Sequence, residues 1–172
     1  LSISTVYANG LPGSAFVLIV ANKWPELAIE IHEDLSEVVP GDWNALVSAG
    51  NPFLGSEFLH GLQQSGSVGA DTTWQPRYLL ARDGERLIGA VALYVKFDSY
   101  GEYIFDHAWA HAYARSGLPY YPKGLVAVPF TPTNGERFLV HPDADRRAVM
   151  GRLSDAMMEV ARELDLSSLH VL

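Results

Sequence analysis

Residues Leu87 to Val95 form an almost unbroken apolar run, relieved only by Gly89 and Tyr94. A strand that reads this way has no solvent face, so it belongs inside a sheet that is covered on both sides. Ahead of it lie Tyr78-Leu-Leu-Ala-Arg and the turn signal Asp83-Gly84. Segments 78–82 and 86–97 are therefore expected to pair as an antiparallel hairpin.

The clearest cover is a helix from Asp143 to Leu164. Val149, Leu153, Met157, Val160 and Leu164 recur at three- and four-residue intervals, with Arg146, Arg152, Asp155 and Glu159 expected to face away. Asp143 and Asp145 sit at the positive end of its dipole. Two shorter helices precede the hairpin. Asp42 to Ala49 carries Trp43, Leu46 and Val47 on one face and is stopped by Gly50 and Pro52. Glu57 to Gln64 takes Ser56 as its N-cap, buries Phe58, Leu59 and Leu62, and ends at Gly66. Leu27 to Leu35 alternates around Ile29 and Ile31 as a half-buried strand, and Leu125–Val128, Phe138–Val140 and Leu169–Leu172 are further strands. The expected fold class is α+β. Residues 1–25 have no assignable role, and the expected domain is 26–172.

A chain of 172 residues supports one good core. Its 48% hydrophobic and 19% charged content excludes disorder. The net charge of −8 argues against a general nucleic-acid binder, which needs a basic face to displace counterions. With no cysteine there is no disulfide framework, thiolate nucleophile or thiolate zinc ligand, which fits a reducing, cytoplasmic setting. The apolar run Ala15–Ala21 is too short to span a bilayer and lacks a basic flank before it, so a soluble protein is expected. The sequence opens on Leu1 rather than Met and closes inside the apolar run Leu169-His-Val-Leu. A terminus in mid-strand predicts a fragment whose sheet continues, with an exposed edge that favours dimerisation or aggregation.

The functional surface is expected between Tyr100 and Gly135. Ser99-Tyr-Gly-Glu-Tyr-Ile-Phe-Asp-His-Ala-Trp-Ala-His-Ala-Tyr, Gly117-Leu-Pro-Tyr-Tyr-Pro-Lys and Val128-Pro-Phe-Thr-Pro-Thr-Asn-Gly-Glu-Arg concentrate five tyrosines and four prolines around Trp109. A solvated loop needs no such set of large rings. With Glu102, Asp106, Lys123 and Arg137 among them, they suit a groove for an extended polar ligand, rings taking the apolar parts and charges setting orientation.

Tyr100-Gly-Glu-Tyr, Tyr120-Tyr-Pro-Lys and Val128-Pro-Phe-Thr-Pro followed by Gly135-x-Arg137 resemble the FemAB-like peptidoglycan biosynthesis/recognition proteins of the GNAT N-acyltransferase superfamily. Asn51-Pro-Phe-Leu, Ser65-Gly-Ser-Val-Gly and Trp74-Gln-Pro-Arg are similar to the same family, in the same order, from about residue 27 onward. The resemblance implies a GNAT-like mixed, largely antiparallel sheet flanked by helices, the first of two tandem domains, with the second missing. It implies transfer of an acyl or aminoacyl group to an amine, with acyl-CoA or aminoacyl-tRNA as donor for the full-length protein. GNAT enzymes that bind acetyl-CoA carry a glycine-rich loop at the start of the long helix, where backbone N–H groups hold the pyrophosphate. Here the stretch is Val140-His-Pro-Asp-Ala-Asp-Arg-Arg, with no glycine and two carboxylates. This half is therefore expected to bind no CoA.

Glu102 and Asp106 are candidates for general base toward an acceptor amine, or else they hydrogen-bond nearby tyrosines and Lys123 to hold the loop. Lys123 and Arg137 either bind a ligand carboxylate or phosphate or form structural ion pairs with those acids. Tyr100, Tyr103, Trp109, Tyr113, Tyr120, Tyr121, Phe130 and Thr131 are candidate groove residues, some of them core. His107 and His111 have metal-ligand spacing on a helix but lack a third ligand, and no metal is expected. Two functions follow: the acceptor-side half of an N-acyltransferase with a small-molecule or peptide acceptor, or a non-catalytic module that recognises a cell-wall peptide.

Overall fold

The computed structural model describes residues 3–6, 16–20, 27–102 and 106–172, the first two stretches as backbone strands only. The strands are β1 (Ile3–Val6), β2 (Phe16–Val20), β3 (Ala28–His32), β4 (Gln75–Asp83), β5 (Arg86–Lys96), β6 (Lys123–Val126), β7 (Leu139–Val140) and β8 (Leu169–Val171). The helices are α1 (Pro40–Asn44), α2 (Ser56–Gln64), α3 (His107–Arg115) and α4 (Arg146–Glu163).

One sheet runs in the order β1-β2-β3-β4-β5-β6-β8, with β7 also on β5. Every pairing is antiparallel except β6 with β8, which is parallel. This is the expected α+β architecture. The β4–β5 hairpin turns at Gly84, whose φ of +58° is the left-handed geometry a tight turn requires.

Alternation along β4 and β5 divides the interior. Tyr78, Leu80, Ala90, Ala92 and Tyr94 face α1 and α2, where Trp43, Leu46 and Leu59 are buried. Leu79, Ala81, Val91 and Leu93 face α4, whose Val149, Leu153, Ala156, Met157 and Val160 close the other side. β5 is thus buried on both faces, the condition its sequence demanded. Trp43 is anchored by its indole N–H, which donates to Leu54 O at 2.8 Å.

Several boundaries and faces differ from expectation. The strand expected over 27–35 closes at His32, and Leu35 enters a 3-10 turn. The first helix stops at Asn44, and that side chain serves its neighbour: Asn44 Oδ1 accepts from Ser56 N at 2.9 Å. Ser56 is therefore the first residue of α2 rather than its cap. Arg152 does not face solvent. It is buried, and its Nε donates to Leu27 O at 3.2 Å across the sheet. Leu164 lies beyond α4 and is exposed.

The outer edge of β5 is shared end to end. β7 takes Gly89 and Ala90, and β6 takes Leu93 to Lys96. The loop from 127 to 138 that joins these two strands leaves the sheet and walls a cleft.

Candidate functional site

Beyond Lys96 the chain makes a turn held by its own polar groups. Asp98 Oδ1 accepts from Tyr100 N at 3.0 Å, and Tyr100 O accepts from Lys96 Nζ at 2.7 Å and from the Trp74 indole N–H at 3.1 Å. The Lys96 ammonium lies 4.1 Å from the centroid of the Trp74 ring. Gly101, at φ +76°, brings the backbone against Trp74 and Phe130, where a Cβ would stand 2.5 Å from the Phe130 ring. Phe130 itself has φ 59°, a strained geometry for a bulky residue, and its ring packs 5.4 Å from Trp74.

This turn delivers Glu102 to Lys123 of β6. Lys123 Nζ donates to Glu102 Oε2 at 2.9 Å, the side chains being only 1% and 2% exposed. Lys123 also pairs with Asp106, the residue just before α3. Asp106 is the hub. It accepts from Lys123 and from the Tyr120 hydroxyl through Oδ2, and from Ser99 Oγ through Oδ1. Ser99 Oγ also meets the Tyr121 hydroxyl at 2.5 Å. Burial raises the Asp106 pKa, but the hydrogen bonds from Lys123, Ser99 and Tyr120 outweigh it and hold the carboxyl at about 2. Burial and then the neighbouring Asp106 carboxylate drive the Tyr120 phenol upward.

Beside this cluster opens a cleft of about 240 Å³. Trp74, Leu125, Val128 and Pro132 give it apolar walls, Thr131, Thr133 and Asn134 polar ones, and Glu102 and Arg137 its charges. Glu102 joins the two regions. Its Oε2 is taken by Lys123, whereas its Oε1 is buried with no hydrogen-bond partner among the described residues. A buried carboxylate oxygen without a donor is costly, and the terminal torsion of glutamate is soft enough to turn it toward the cleft. Arg137 forms no ion pair with Glu102 or Asp106, both of which pair with Lys123. Its Nε donates to Leu172 O, Nη1 to Gly135 O at 3.4 Å and Nη2 to Thr133 O at 2.6 Å. Burial lowers its pKa.

The sequence candidates fall into three groups. Glu102, Thr131 and Arg137 line the cleft. Asp106, Lys123, Tyr120, Tyr121 and Tyr113 form the cluster behind it, with Tyr113 and Tyr121 edge-on to Tyr120 at 5.1 and 5.0 Å. Tyr100 and Trp109 point outward, 71% and 65% exposed, and Phe130 is half-exposed above Gly101. Tyr103 lies outside the described residues. Trp74, Ser99 and Lys96 belong to the site although sequence reasoning singled out none of them for it. Trp74 stands in a motif that carries the family resemblance, and that was the available signal.

His107 and His111 stand exposed on α3, and no group of three or more metal-ligating side chains occurs among the described residues. At the start of α4, Asp145 Oδ1 accepts from Arg147 N at 3.0 Å and from Ala148 N at 3.1 Å. A carboxylate of the chain itself therefore holds two of the N–H groups at this helix end. No helix among the described residues is long and apolar enough to cross a membrane.

No curated protein and no solved structure matches the chain. The turn that carries Glu102, the Tyr120-Tyr-Pro-Lys segment and the Val128-Pro-Phe-Thr-Pro loop, which build the cluster and the cleft, all lie within residues 34–172, the span matched by one protein family. The chain belongs to the FemAB-like family of peptidoglycan biosynthesis/recognition proteins.

Proposed function

We propose that this chain is the acceptor-side half of an N-acyltransferase built from two GNAT-like domains, acting in the cytoplasm on an amine-bearing peptide or small molecule. The observation that carries the reading is Glu102: a buried carboxylate with one oxygen fixed by Lys123 and the other unpartnered beside an apolar-walled cleft. Such an oxygen suits an amine N–H, and the fixed partner keeps the carboxylate from swinging away.

In the reaction the amine nitrogen, having lost one proton to solvent, attacks the donor's carbonyl carbon. A C–N bond forms, the bond from that carbon to the carrier sulfur or oxygen breaks, and the carrier leaves with a proton. Glu102 orients the nitrogen. Lys123 is a positioning residue for Glu102, and Asp106, both of whose oxygens already accept hydrogen bonds, acts through Lys123. The donor, an acyl-CoA or aminoacyl-tRNA, is bound by the second domain or between the two, because Asp145 occupies the start of α4.

That same occupied helix end favours a second reading for this chain by itself, a module that recognises a cell-wall peptide without catalysis. Turnover by a full-length family member, given acyl-CoA or aminoacyl-tRNA with peptidoglycan precursor peptides, separates the two. Product formation that the substitution equivalent to Glu102→Gln reduces about a hundredfold supports the transferase, a loss within the range expected for a lost orienting contact. Peptide binding without turnover of either donor favours the recognition module.

A further inference from the structure

We propose that His32 works as a proton-operated latch: as an imidazolium it fastens the 3-10 turn Leu35–Glu37 to β3, and losing its proton loosens that turn while the sheet stays closed.

Both ring nitrogens of His32 meet carboxylate oxygens. Nδ1 lies 2.7 Å from Glu37 Oε2, and Nε2 lies 3.4 Å from Glu30 Oε2. A carboxylate can only accept, and a neutral imidazole has a single N–H to give. Only the imidazolium donates to both, because in the neutral ring one nitrogen lone pair faces an oxygen lone pair. The charges point the same way. Glu30 Oε2 also accepts from Arg82 Nε at 2.8 Å, so two carboxylates balance one guanidinium and one imidazolium. Without the proton, one negative charge is left over beside a histidine that is 9% exposed. The hydrogen bond to Glu30 raises the His32 pKa above the ordinary 6.5, burial opposes it, and the bond to Glu37 adds to the rise.

The other ionisable groups near the turn, among the described residues, have partners elsewhere or stay neutral. Glu33 pairs with Arg77 of β4 at 3.2 Å, and Asp34 Oδ1 accepts from Ser36 N at 2.8 Å. Tyr78 stands opposite His32 in the β3–β4 register, and burial pushes its phenol up, which keeps it neutral. On the other side of β3, β2 reads Phe-Val-Leu-Ile-Val and brings no charge. From α2, Glu57 and His60 face Leu35, Ser36 and Val38 across a hollow of about 230 Å³, and Glu57 accepts from Asn44 Nδ2 at 3.0 Å.

The sheet keeps its own ladder, since β3 pairs with β4 from Ala28 to His32. The turn has fewer ties. Gln63 Oε1 accepts from Leu35 N at 3.0 Å, and Gln63 Nε2 donates to Glu33 O at 3.0 Å. Leu35 and Val38 flank this turn and are buried in the core that holds Trp43, Leu46 and Leu59, so its loosening is felt by α1 and α2. A histidine whose pKa is raised by folding gives stability that is fully present below 6.5 and fades as pH rises through the folded value.

The test is an NMR pH titration of the isotope-labelled chain, with amide exchange measured on both sides of the His32 midpoint. The ring is expected to titrate above 6.5. After correction for base catalysis, protection at Leu35 N and Val38 N is expected to fall about fivefold through that midpoint, the step from a charge-assisted to a neutral hydrogen bond. Protection at Leu79 and Val91, in β4 and β5, is expected to hold. Glu37→Gln keeps a hydrogen-bonding side chain without the charge, and it should lower the midpoint and flatten the pH dependence of the turn. A midpoint at or below 6.5, a turn whose protection is unchanged across the midpoint, or an equal loss in β4 and β5 overturns the proposal. Titration and exchange are both read on the unaltered chain, so the result stands even if the Glu37 variant does not fold.

Discussion

Lys96 on β5 and Lys123 on β6 stand directly opposite one another in the antiparallel register, and neither side chain reaches solvent. Like charges at paired positions repel, so each ammonium needs its own answer. Lys96 receives a carbonyl and the face of Trp74, with Asp98 at 3.6 Å, whereas Lys123 receives two carboxylates. The two titrate in opposite directions as a result. Burial pushes Lys96 down to about 8 against the pull of Asp98 and Glu102. Burial also pulls on Lys123, but its bonds to Asp106 and Glu102 carry it above the ordinary lysine value.

Lys96 therefore makes stability depend on alkaline pH. It sheds its proton at about 8 in the fold but near 10.5 when unfolded. Between these values the unfolded chain binds more protons, so stability gains as pH rises through the window. Lys96→Met has no such proton. The melting temperature of the wild type relative to Lys96→Met is expected to climb from pH 7.5 to 9.5. A difference that stays constant with pH would show that Lys96 titrates normally.

Asp106 gives the opposite window. Its folded pKa of about 2 lies below the ordinary 3.8, so its stabilisation is present above pH 4 and is lost as pH falls toward 2. Asp106→Asn is expected to cost about 1.5–3 kcal/mol at pH 7, the usual loss for hydrogen bonds to a charged group. The cost should shrink in urea denaturation at pH 3 and nearly vanish near pH 2. An equal cost at pH 7 and pH 2 would mean that the carboxylate charge plays no part.

Gly101 and Gly117 share positive φ angles, +76° and +70°, but not surroundings. A Cβ at Gly101 would strike Phe130 and Trp74, and one at Gly117 would meet nothing within 4 Å. Gly117→Ala is expected to cost about 1–2 kcal/mol from backbone conformation. Gly101→Ala adds the collision and should exceed it by at least about 1 kcal/mol, in the range of off-rotamer and overpacking penalties. Denaturant titration of both variants checks this, and equal losses would remove Phe130 from the account.

At the start of α4, Asp145→Ala removes the acceptor for Arg147 N and Ala148 N. The expected loss is about 1 kcal/mol, the usual value of an N-cap, whereas Asp145→Asn retains most of it. Thermal denaturation of the pair distinguishes capping from charge, since a loss in both variants alike would assign the effect to the helix dipole.

The hairpin, the doubly buried β5 and α4 were legible because each is a local pattern: a turn dipeptide, a continuous apolar run, a helical stripe. Arg152 was not legible as a buried residue, because the Leu27 carbonyl that receives it is supplied from 125 positions away in sequence. Nor was the cap of α2, which is the side chain of Asn44, twelve residues before the Ser56 amide it accepts from. Composition pointed to the segment between residues 100 and 135, but it could not sort the rings. Tyr120 and Trp109 read alike in the sequence, yet one is buried against Asp106 and Lys123 and the other is exposed on α3.

What the amino-acid sequence determined by itself was the layered α+β arrangement, the family, and the residue types gathered for the site, all of which follow from local periodicity and motif order. Tertiary structure alone decided how they pair. Lys123 and Glu102 could have met a ligand or each other, and the turn at Gly101 together with the β5–β6 register closes them on each other. Arg137 could have paired with those acids, and the structure instead holds it on oxygens of Thr133, Gly135 and Leu172. The physical reason is that charge pairing depends on separation and burial, which only the packed chain sets, whereas hydrophobic patterning is already written in the order of the residues.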